Sequence, residues 1–212
     1  MTAALLAGLG LGAFVAAQVG PVSLLCVRTS TRSGFRPGAA VGAGAALVDL
    51  AYAALGVAGA ASLVQFPPVR LALGFAGAAV LLVMGARTLH AAFRIRLGGE
   101  SASEVARPAA ALRTGIVATA SNPLTIVSWA AIFGAASTAS LVDSPTEAAA
   151  LLLGVGVGSL AWFMMLAGAT SRVGSRLGER ALVAVDVVAG AGLVLFGVVL
   201  GVRTIQDADL SG

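Results

Sequence analysis

Two stretches of the chain place a proline inside an apolar segment: AAQVGPVSLLCVR at residues 16–28 and TASNPLTIVSWAA at residues 119–131. In each stretch a glycine or asparagine precedes the proline, an apolar residue follows it, and a hydroxyl side chain comes next. A proline inside a helix removes one backbone donor and crowds the carbonyl four residues earlier. Both stretches are therefore predicted to be helices broken at the proline.

The chain around these stretches is apolar enough to belong in a lipid bilayer. Of its 212 residues, 58% are hydrophobic and 10% are charged, and its mean hydropathy is +0.99. Soluble domains carry roughly 25% charged residues. Apolar runs near the bilayer-spanning length of about 20 residues predict six transmembrane helices. These predicted spans are residues 3–27, 38–64, 71–86, 115–142, 148–170 and 181–202.

A polar linker at residues 94–113 divides the six spans into two groups of three. Three spans per group place the second group upside down in the membrane relative to the first. The second spans of the two groups also have similar sequences, GAAVGAGAALVDLAY at 38–52 and LLLGVGVGSLAWF at 151–163. The predicted fold is an all-α integral membrane protein with two inverted three-helix repeats and proline-broken helices one and four. It is a single domain over residues 1–212, with repeat one at about 3–93 and repeat two at about 114–203.

Arginines set the predicted orientation. They concentrate in the loops 28–36, 94–113 and 171–180, whereas the opposite side carries Arg70, Arg203 and several acidic residues. Positively charged loops stay on the cytoplasmic side, so both termini are predicted to lie outside. The first span has no basic segment before it and is too long for a secretory signal. The net charge of +4 then reflects topology and contact with anionic membrane lipid, and no nucleic-acid partner is expected.

Polar side chains surround the two prolines. In hydrocarbon an unsatisfied carbonyl costs several kcal/mol, so a helix break needs partners from protein, water or a ligand. A polar substrate or ion pocket is predicted at the breaks around Gly20, Pro21 and Pro123. Its amide and hydroxyl side chains are those of Gln18, Ser23, Thr119, Ser121, Asn122, Thr125 and Ser128. The alternative is that the prolines only kink two helices, whose hydroxyl side chains bond to local carbonyls.

Asp49 is the acidic residue predicted to lie deepest in the membrane. It is roughly 18 Å along a helix from Pro37, near the bilayer midplane, where an ionised carboxylate is costly. Asp49 is therefore a candidate proton carrier or partner for a substrate ammonium, and Tyr52, the other ionisable residue of this span, is included with it. The alternative is a protonated Asp49 that only bonds to opened backbone.

Three other side chains have less specific predictions. Asp186 lies six residues beyond Arg180, close to the cytoplasmic interface, and either pairs with a loop arginine or takes part in the transport path. Trp129 and Trp162 are predicted to be packing or interfacial residues, with Trp162 deep enough to line a cavity.

The sequence contains no catalytic signature. It has one histidine, one cysteine and no lysine, and it lacks HExxH, GxSxG and Walker-type motifs. The chain is therefore not expected to be an enzyme, to hold a metal or to require a cofactor. Energy for any transport is expected to come from an ion gradient or the substrate gradient.

Three segments of the chain point to a known family. With GPVSLLCVRTSTRSGFRPGAAVGAGAALVDLAY at 20–52, NPLTIVSWAAIF at 122–133 and SRVGSRLGERALVAVDVVAGAGLVLFGVVLGVRTI at 171–205, the chain resembles the lysine exporter (LysE/RhtB) family. The resemblance covers residues 14–205. It implies a homodimeric inner-membrane exporter of amino acids or close derivatives, driven by the proton motive force.

The same resemblance suggests roles for particular positions. Gly20 and Pro21 correspond to the family's first-span motif, Asp49 to its second-span acid, and Asn122 and Pro123 to the motif of its second half. The chain departs from many relatives after the Asn-Pro, where it has Thr125 and Ser128 in place of bulkier residues. Substrate choice therefore does not follow from the resemblance.

Two other functions remain open at this stage. A divalent-metal or other ion exporter of the same superfamily is disfavoured because Asp49 is the one deep carboxylate, and hard cations collect several oxygen ligands. A non-transporting membrane scaffold is the other alternative. The working hypothesis is a secondary exporter that alternates access around a central site.

Overall fold

The computed structural model describes residues 1–18, 20–58, 67–96, 107–122, 125–126, 128–129, 132 and 144–209. Apart from short turns, these residues are helical and contain no strand. The helices are α1 (Thr2–Ala16), α2 (Pro21–Ser33), α3 (Phe35–Val57), α4 (Pro67–Arg96), α5 (Pro108–Ala120), α6 (Pro145–Gly174) and α7 (Glu179–Asp209).

Several helices have the length and composition of membrane spans. These are Phe35–Val57, Pro145–Gly174 and Val183–Gln206, and the bent pair α1 and α2 counts as one more if it is a single span. The all-helical membrane architecture therefore agrees with the sequence analysis. The full six-span arrangement stays a prediction. Helix α4, which contains the predicted span 71–86, is not among these helices and has a shorter apolar segment at Phe75–His90, and part of the predicted fourth span lies outside the described residues.

The first predicted span is broken at Gly20-Pro21. Helices α1 and α2 meet at an angle of 78°. Gly20 caps α2 in an extended conformation, and Pro21 is its first residue. Proline suits this position because the first amides of a helix have no partner within the helix. The break predicted from the sequence is therefore present, as the start of a new helix.

The second break begins one residue before the Asn-Pro pair. Helix α5 ends at Ala120, Ser121 forms a turn, and the amide of Ile126 donates to the carbonyl oxygen of Asn122 at 3.2 Å. The amide of Leu24 donates in the same way to Gly20 at 3.1 Å. Pro123 itself lies outside the described residues.

Within the described residues, helices extend into all three predicted arginine-rich loops, which corrects the boundaries of those loops. Between α2 and α3 the turn consists of Gly34 alone, whose φ of +84° lies in the left-handed region that favours glycine. Helices also enter the predicted linker at 94–113, since α4 ends at Arg96 and α5 begins at Pro108. The predicted loop at 171–180 is also shorter in the structure, where it consists of the residues between the end of α6 at Gly174 and the start of α7 at Glu179. Pro37 and Pro108 lie in the first turns of α3 and α5, where a proline is compatible with a helix.

Helix α3 lies at the centre of the packing. It contacts α2, α5 and α6, while α1 runs along α6 and α4 runs along α7. Helix α2 also contacts α7. The second part of the broken first span is thereby held between the central helices and the α4–α7 pair.

Two close helix crossings depend on glycine. A methyl group added to Gly8 of α1 would overlap the carbonyl oxygen of Leu151 in α6. A methyl group added to Gly115 of α5 would overlap the carbonyl oxygen of Val41 in α3. Each glycine thus allows two helix backbones to touch, as small residues do in membrane proteins generally.

Asp186 anchors α2 to α7. Its side chain is fully buried and accepts hydrogen bonds from Arg28 Nε and Arg32 Nε, each at 2.8 Å. Of the two predictions for Asp186, pairing with Arg180 or another loop arginine is confirmed in its second form, since the partners are Arg28 and Arg32. Because the carboxylate is buried, the two arginines compensate most of the cost of desolvating it.

The glycine crossings predict a position-dependent effect of added methyl groups. Gly8→Ala and Gly115→Ala should each destabilise the protein by about 1–3 kcal/mol because the helices must move apart. Gly10→Ala is the control, since no atom lies within 4 Å of a methyl group there. Thermal unfolding of the detergent-solubilised protein measures the difference. Equal melting temperatures for the three variants would contradict close backbone contact.

The Asp186 ion pairs predict a second stability effect. Asp186→Asn and Arg28→Gln should each cost about 3 kcal/mol, because a buried charge loses its partner. Arg176→Gln removes an exposed arginine between α6 and α7 and should change stability little. If all three variants melt at the wild-type temperature, α2 is not anchored through Asp186.

Candidate functional site

A small cavity lies beside the two helix breaks. Its volume is about 20 Å³, which is room for about one water molecule. The polar or flexible residues predicted from the sequence that line it are Gln18, Gly20, Ser23, Asp49, Thr119, Asn122 and Thr125. The other lining residues are Val15, Ala16, Val22, Ala45 and Phe163. The fold therefore brings together residues that are about a hundred positions apart in the chain.

Asp49 is buried on α3 and has a donor on each carboxylate oxygen. Its side chain is 2% exposed. Trp129 Nε1 donates to Oδ1 at 3.0 Å, and Ser159 Oγ donates to Oδ2 at 2.7 Å. Hydrogen bonds to a charged acceptor are about twice as strong as neutral ones and offset part of the cost of burial.

Sequence reasoning did not single out Ser159 and gave Trp129 only a packing role. Trp129 is indeed buried and packed, but its indole also holds Asp49. A sequence signal for Ser159 does exist, since DLAY at 49–52 and SLAW at 159–162 place an acid and a hydroxyl at the same position of similar tetrapeptides. The hydrogen bond from Trp129 to Asp49 depends on how the second half folds, and no sequence motif predicts it.

Polar side chains also bond to one another at the breaks. Ser23 Oγ donates to the carbonyl oxygen of Gln18 at 3.2 Å, and Ser128 Oγ donates to Gln18 Oε1 at 3.2 Å. Asn122 Nδ2 donates to Thr125 Oγ1 at 2.9 Å. The local carbonyl capping that the alternative interpretation predicts is thus present at Ser23, alongside a polar cavity.

Two predicted site residues, Pro21 and Tyr52, lie outside the cavity lining. Pro21 is fully buried at the start of α2, between two residues that do line the cavity. The hydroxyl of Tyr52 donates to the carbonyl oxygen of Ala120 at 2.8 Å, so Tyr52 caps the end of α5. Pro123 lies outside the described residues.

The electrostatics of the cavity combine a carboxylate with a helix N-terminus. Val22 and Ser23 line the cavity from the first turn of α2, where amides lack partners within the helix. The helix dipole makes this end partly positive. Asp49 and the start of α2 therefore present opposite electrostatic character to one small space.

Metal ligands do not gather in the part of the chain that the structure describes. No group of three or more His, Cys, Asp or Glu side chains there could hold a metal ion.

Comparison with known proteins places the chain in a family. Residues 13–204 match the family model described as LysE type translocator. The chain belongs to this family. The resemblance carried by the Gly-Pro, Asp49 and Asn-Pro motifs is thereby confirmed, and the chain is a member of a family of membrane translocators.

The chain is also similar in sequence to two curated proteins. Chemotactic transduction protein ChpE of Pseudomonas aeruginosa is 34% identical over 165 residues, covering 76% of this chain and 79% of ChpE. "Putative amino acid efflux protein YcgF" of Bacillus subtilis is 27% identical over 201 residues, covering 93% of this chain and 94% of YcgF. No solved structure gives a significant match.

Proposed function

We propose that this LysE type translocator is a secondary active exporter of amino acids or close derivatives across the bacterial inner membrane. The observation that carries the proposal is the buried carboxylate of Asp49, which lines a cavity beside two helix breaks. An intramembrane acid at such a position is costly and is usually functional. The name of YcgF, a relative over nearly the whole chain, supports amino-acid efflux.

The site suits a zwitterion. The ammonium group of an amino acid would bind Asp49, and its carboxylate would bind the free amides at the start of α2. Both groups lie at the same cavity, whose further lining includes the apolar side chains of Val15 and Phe163. These apolar residues would contact the substrate's side chain.

Transport requires the site to open. A cavity of about 20 Å³ holds about one water molecule, so an amino acid enters only after the surrounding helices separate. In this proposal the structure is therefore a closed form of the exporter. Alternating access follows if the helices separate towards the cytoplasm first and towards the outside second.

Two inverted halves would supply such a motion, and the glycine crossings support them. Gly8 of α1 contacts Leu151 of α6, and in the same crossing Gly154 of α6 contacts Leu5 of α1. Along each helix the two contacting residues are three positions apart. The other crossing has the same pattern, with Gly115 against Val41 and, three residues along, Gly44 against Leu112. First-span residues of each half thus meet second-span residues of the other, which is the reciprocal contact expected of two related repeats.

Proton coupling would use the same carboxylate. A proton from outside and a substrate ammonium from inside both neutralise Asp49, so the two compete for it. Binding of one would favour release of the other, and export would follow the proton motive force. The cytoplasmic position of the arginine-rich segments, the external termini, the contact with anionic lipid and the homodimer remain predictions of the sequence analysis.

Metal export fits the site less well. Both oxygens of Asp49 accept hydrogen bonds, from Trp129 and Ser159, which are donors to an anion. A hard divalent cation would need those oxygens and several more. The sequence alternative of an ion exporter is therefore not favoured by the geometry of Asp49.

A non-transporting role is the second candidate, because the name of ChpE refers to chemotactic transduction. In that case the hydrogen bonds from Trp129 and Ser159 to Asp49 would only hold the helices together and would have no part in transport. The two candidates differ in what happens when Asp49 loses its charge.

Efflux from preloaded cells tests the exporter. We expect efflux of one class in a panel of labelled basic, neutral and sulfur-containing amino acids, sensitive to an uncoupler. Asp49→Asn should lower efflux roughly tenfold or more, because the ammonium loses its charged partner. Glu147→Gln, which removes an acid at the start of α6 outside the cavity lining, is the control and should keep wild-type efflux.

Two results would contradict the proposal. Normal efflux by a correctly inserted Asp49→Asn protein would remove Asp49 from the mechanism. Absence of efflux for every amino acid, with wild-type protein present in the membrane, would favour an ion exporter or the transduction role.

A further inference from the structure

We propose that Trp129 and Ser159 hold the two oxygens of Asp49 in the closed state and respond differently when an ammonium group binds. This inference rests on the proposed exporter function. Both residues lie outside the cavity lining of the closed structure. Trp129 is a positioning residue that acts on the substrate through Asp49, whereas Ser159 would contact the ammonium group once the site opens.

Trp129 and Ser159 each donate a hydrogen bond to a different carboxylate oxygen of Asp49. Trp129 Nε1 is 3.0 Å from Oδ1 and Ser159 Oγ is 2.7 Å from Oδ2. Trp129 is 2% exposed and Ser159 is fully buried. Water therefore does not replace either donor while the site is closed, and the carboxylate depends on these two side chains.

The two donors have different chemistry. An indole N–H only donates, whereas a serine hydroxyl both donates and accepts. An ammonium group also only donates, so it needs acceptors around it. When it approaches Asp49, the Ser159 hydroxyl can rotate and accept from it, while Trp129 competes with it for Oδ1.

The location of the donors links this competition to movement. Asp49 lies on α3 of the first half, whereas Ser159 on α6 and Trp129 belong to the second half of the chain. A ligand on Asp49 would change bonds that cross between the halves. Substrate or proton binding would thereby weaken the closed arrangement.

Other ionisable groups near Asp49 are few within the described structure. Asp49 is the one ionisable side chain among the residues that line the cavity. Tyr52 lies one turn further along α3 and donates its hydroxyl to Ala120. The competition at the carboxylate thus involves mainly the substrate ammonium, the proton and the two donors.

Opposite changes in KM would distinguish the two residues. Trp129→Phe removes a competitor, so KM should fall roughly tenfold and kcat should fall with it, since a more tightly held substrate is released more slowly. Ser159→Ala removes an acceptor for the ammonium, so KM should rise roughly tenfold. Trp162→Phe is the matched control, because Trp162 lies on α6 and makes no hydrogen bond in the described structure.

A merely structural role would not produce this split. Loss of packing lowers the amount of inserted protein, which is measured separately, and does not move KM in opposite directions. If Trp129→Phe and Ser159→Ala change KM in the same direction, or leave it unchanged, the inference is wrong.

Spectroscopy tests the contact independently of transport. The chain has two tryptophans, so the Trp162→Phe protein contains Trp129 alone. Ultraviolet resonance Raman bands of its indole N–H should shift when Asp49→Asn replaces the charged acceptor with a weaker neutral one. They should shift in the same direction when the exported amino acid is added.

The spectra separate the two proposals. If the Trp129 bands do not shift in the Asp49→Asn protein, or do not shift when an exported amino acid is added, Trp129 does not position Asp49. If no amino acid is exported, the exporter function fails, and the response to Asp49→Asn still decides whether Trp129 holds the carboxylate.

Discussion

A carboxylate inside a membrane-spanning helix must find hydrogen-bond donors, and Asp49 finds both of them in the other half of the chain. Trp129 and Ser159 each donate to one oxygen, and neither is open to solvent. The cost of burying the charge therefore ties the centre of α3 to the second half. The cavity, the closed state and the proposed coupling all depend on this contact.

The surrounding packing makes the contact possible. Glycines let α1 lie directly on α6 and α5 on α3, which brings both helix breaks to the level of Asp49. Helix α2, which starts at the first break, is fixed at its other end by the ion pairs of Asp186. The break at Gly20-Pro21 thus has a rigid helix on its far side, and movement of α2 requires those ion pairs to move or break.

Local sequence rules predicted the parts of the site that local chemistry decides. Proline ends helices regardless of tertiary context, so the break at Pro21 was predictable, and the long apolar run around Asp49 identified a buried acid. Ser159 is not predictable as a site residue from local rules, because a single serine in an apolar helix is common. Its one distinguishing feature in the sequence is that SLAW at 159–162 resembles DLAY at 49–52, with Ser159 in the place of Asp49. The partners of Asp186 could not be chosen from sequence, since several arginines lie near the same interface. The loop at 28–36 was overestimated because a single glycine, Gly34, makes the whole turn.

An experimental structure with the exported amino acid bound would show whether Asp49 binds the substrate. We expect the ammonium nitrogen to lie within hydrogen-bonding distance of the Asp49 carboxylate and the substrate carboxylate to face the first turn of α2. We also expect Trp129 Nε1 to lie further from Asp49 than the 3.0 Å of the closed structure. If the amino acid binds elsewhere while Trp129 and Ser159 still hold both oxygens of Asp49, the carboxylate of Asp49 is not the substrate site.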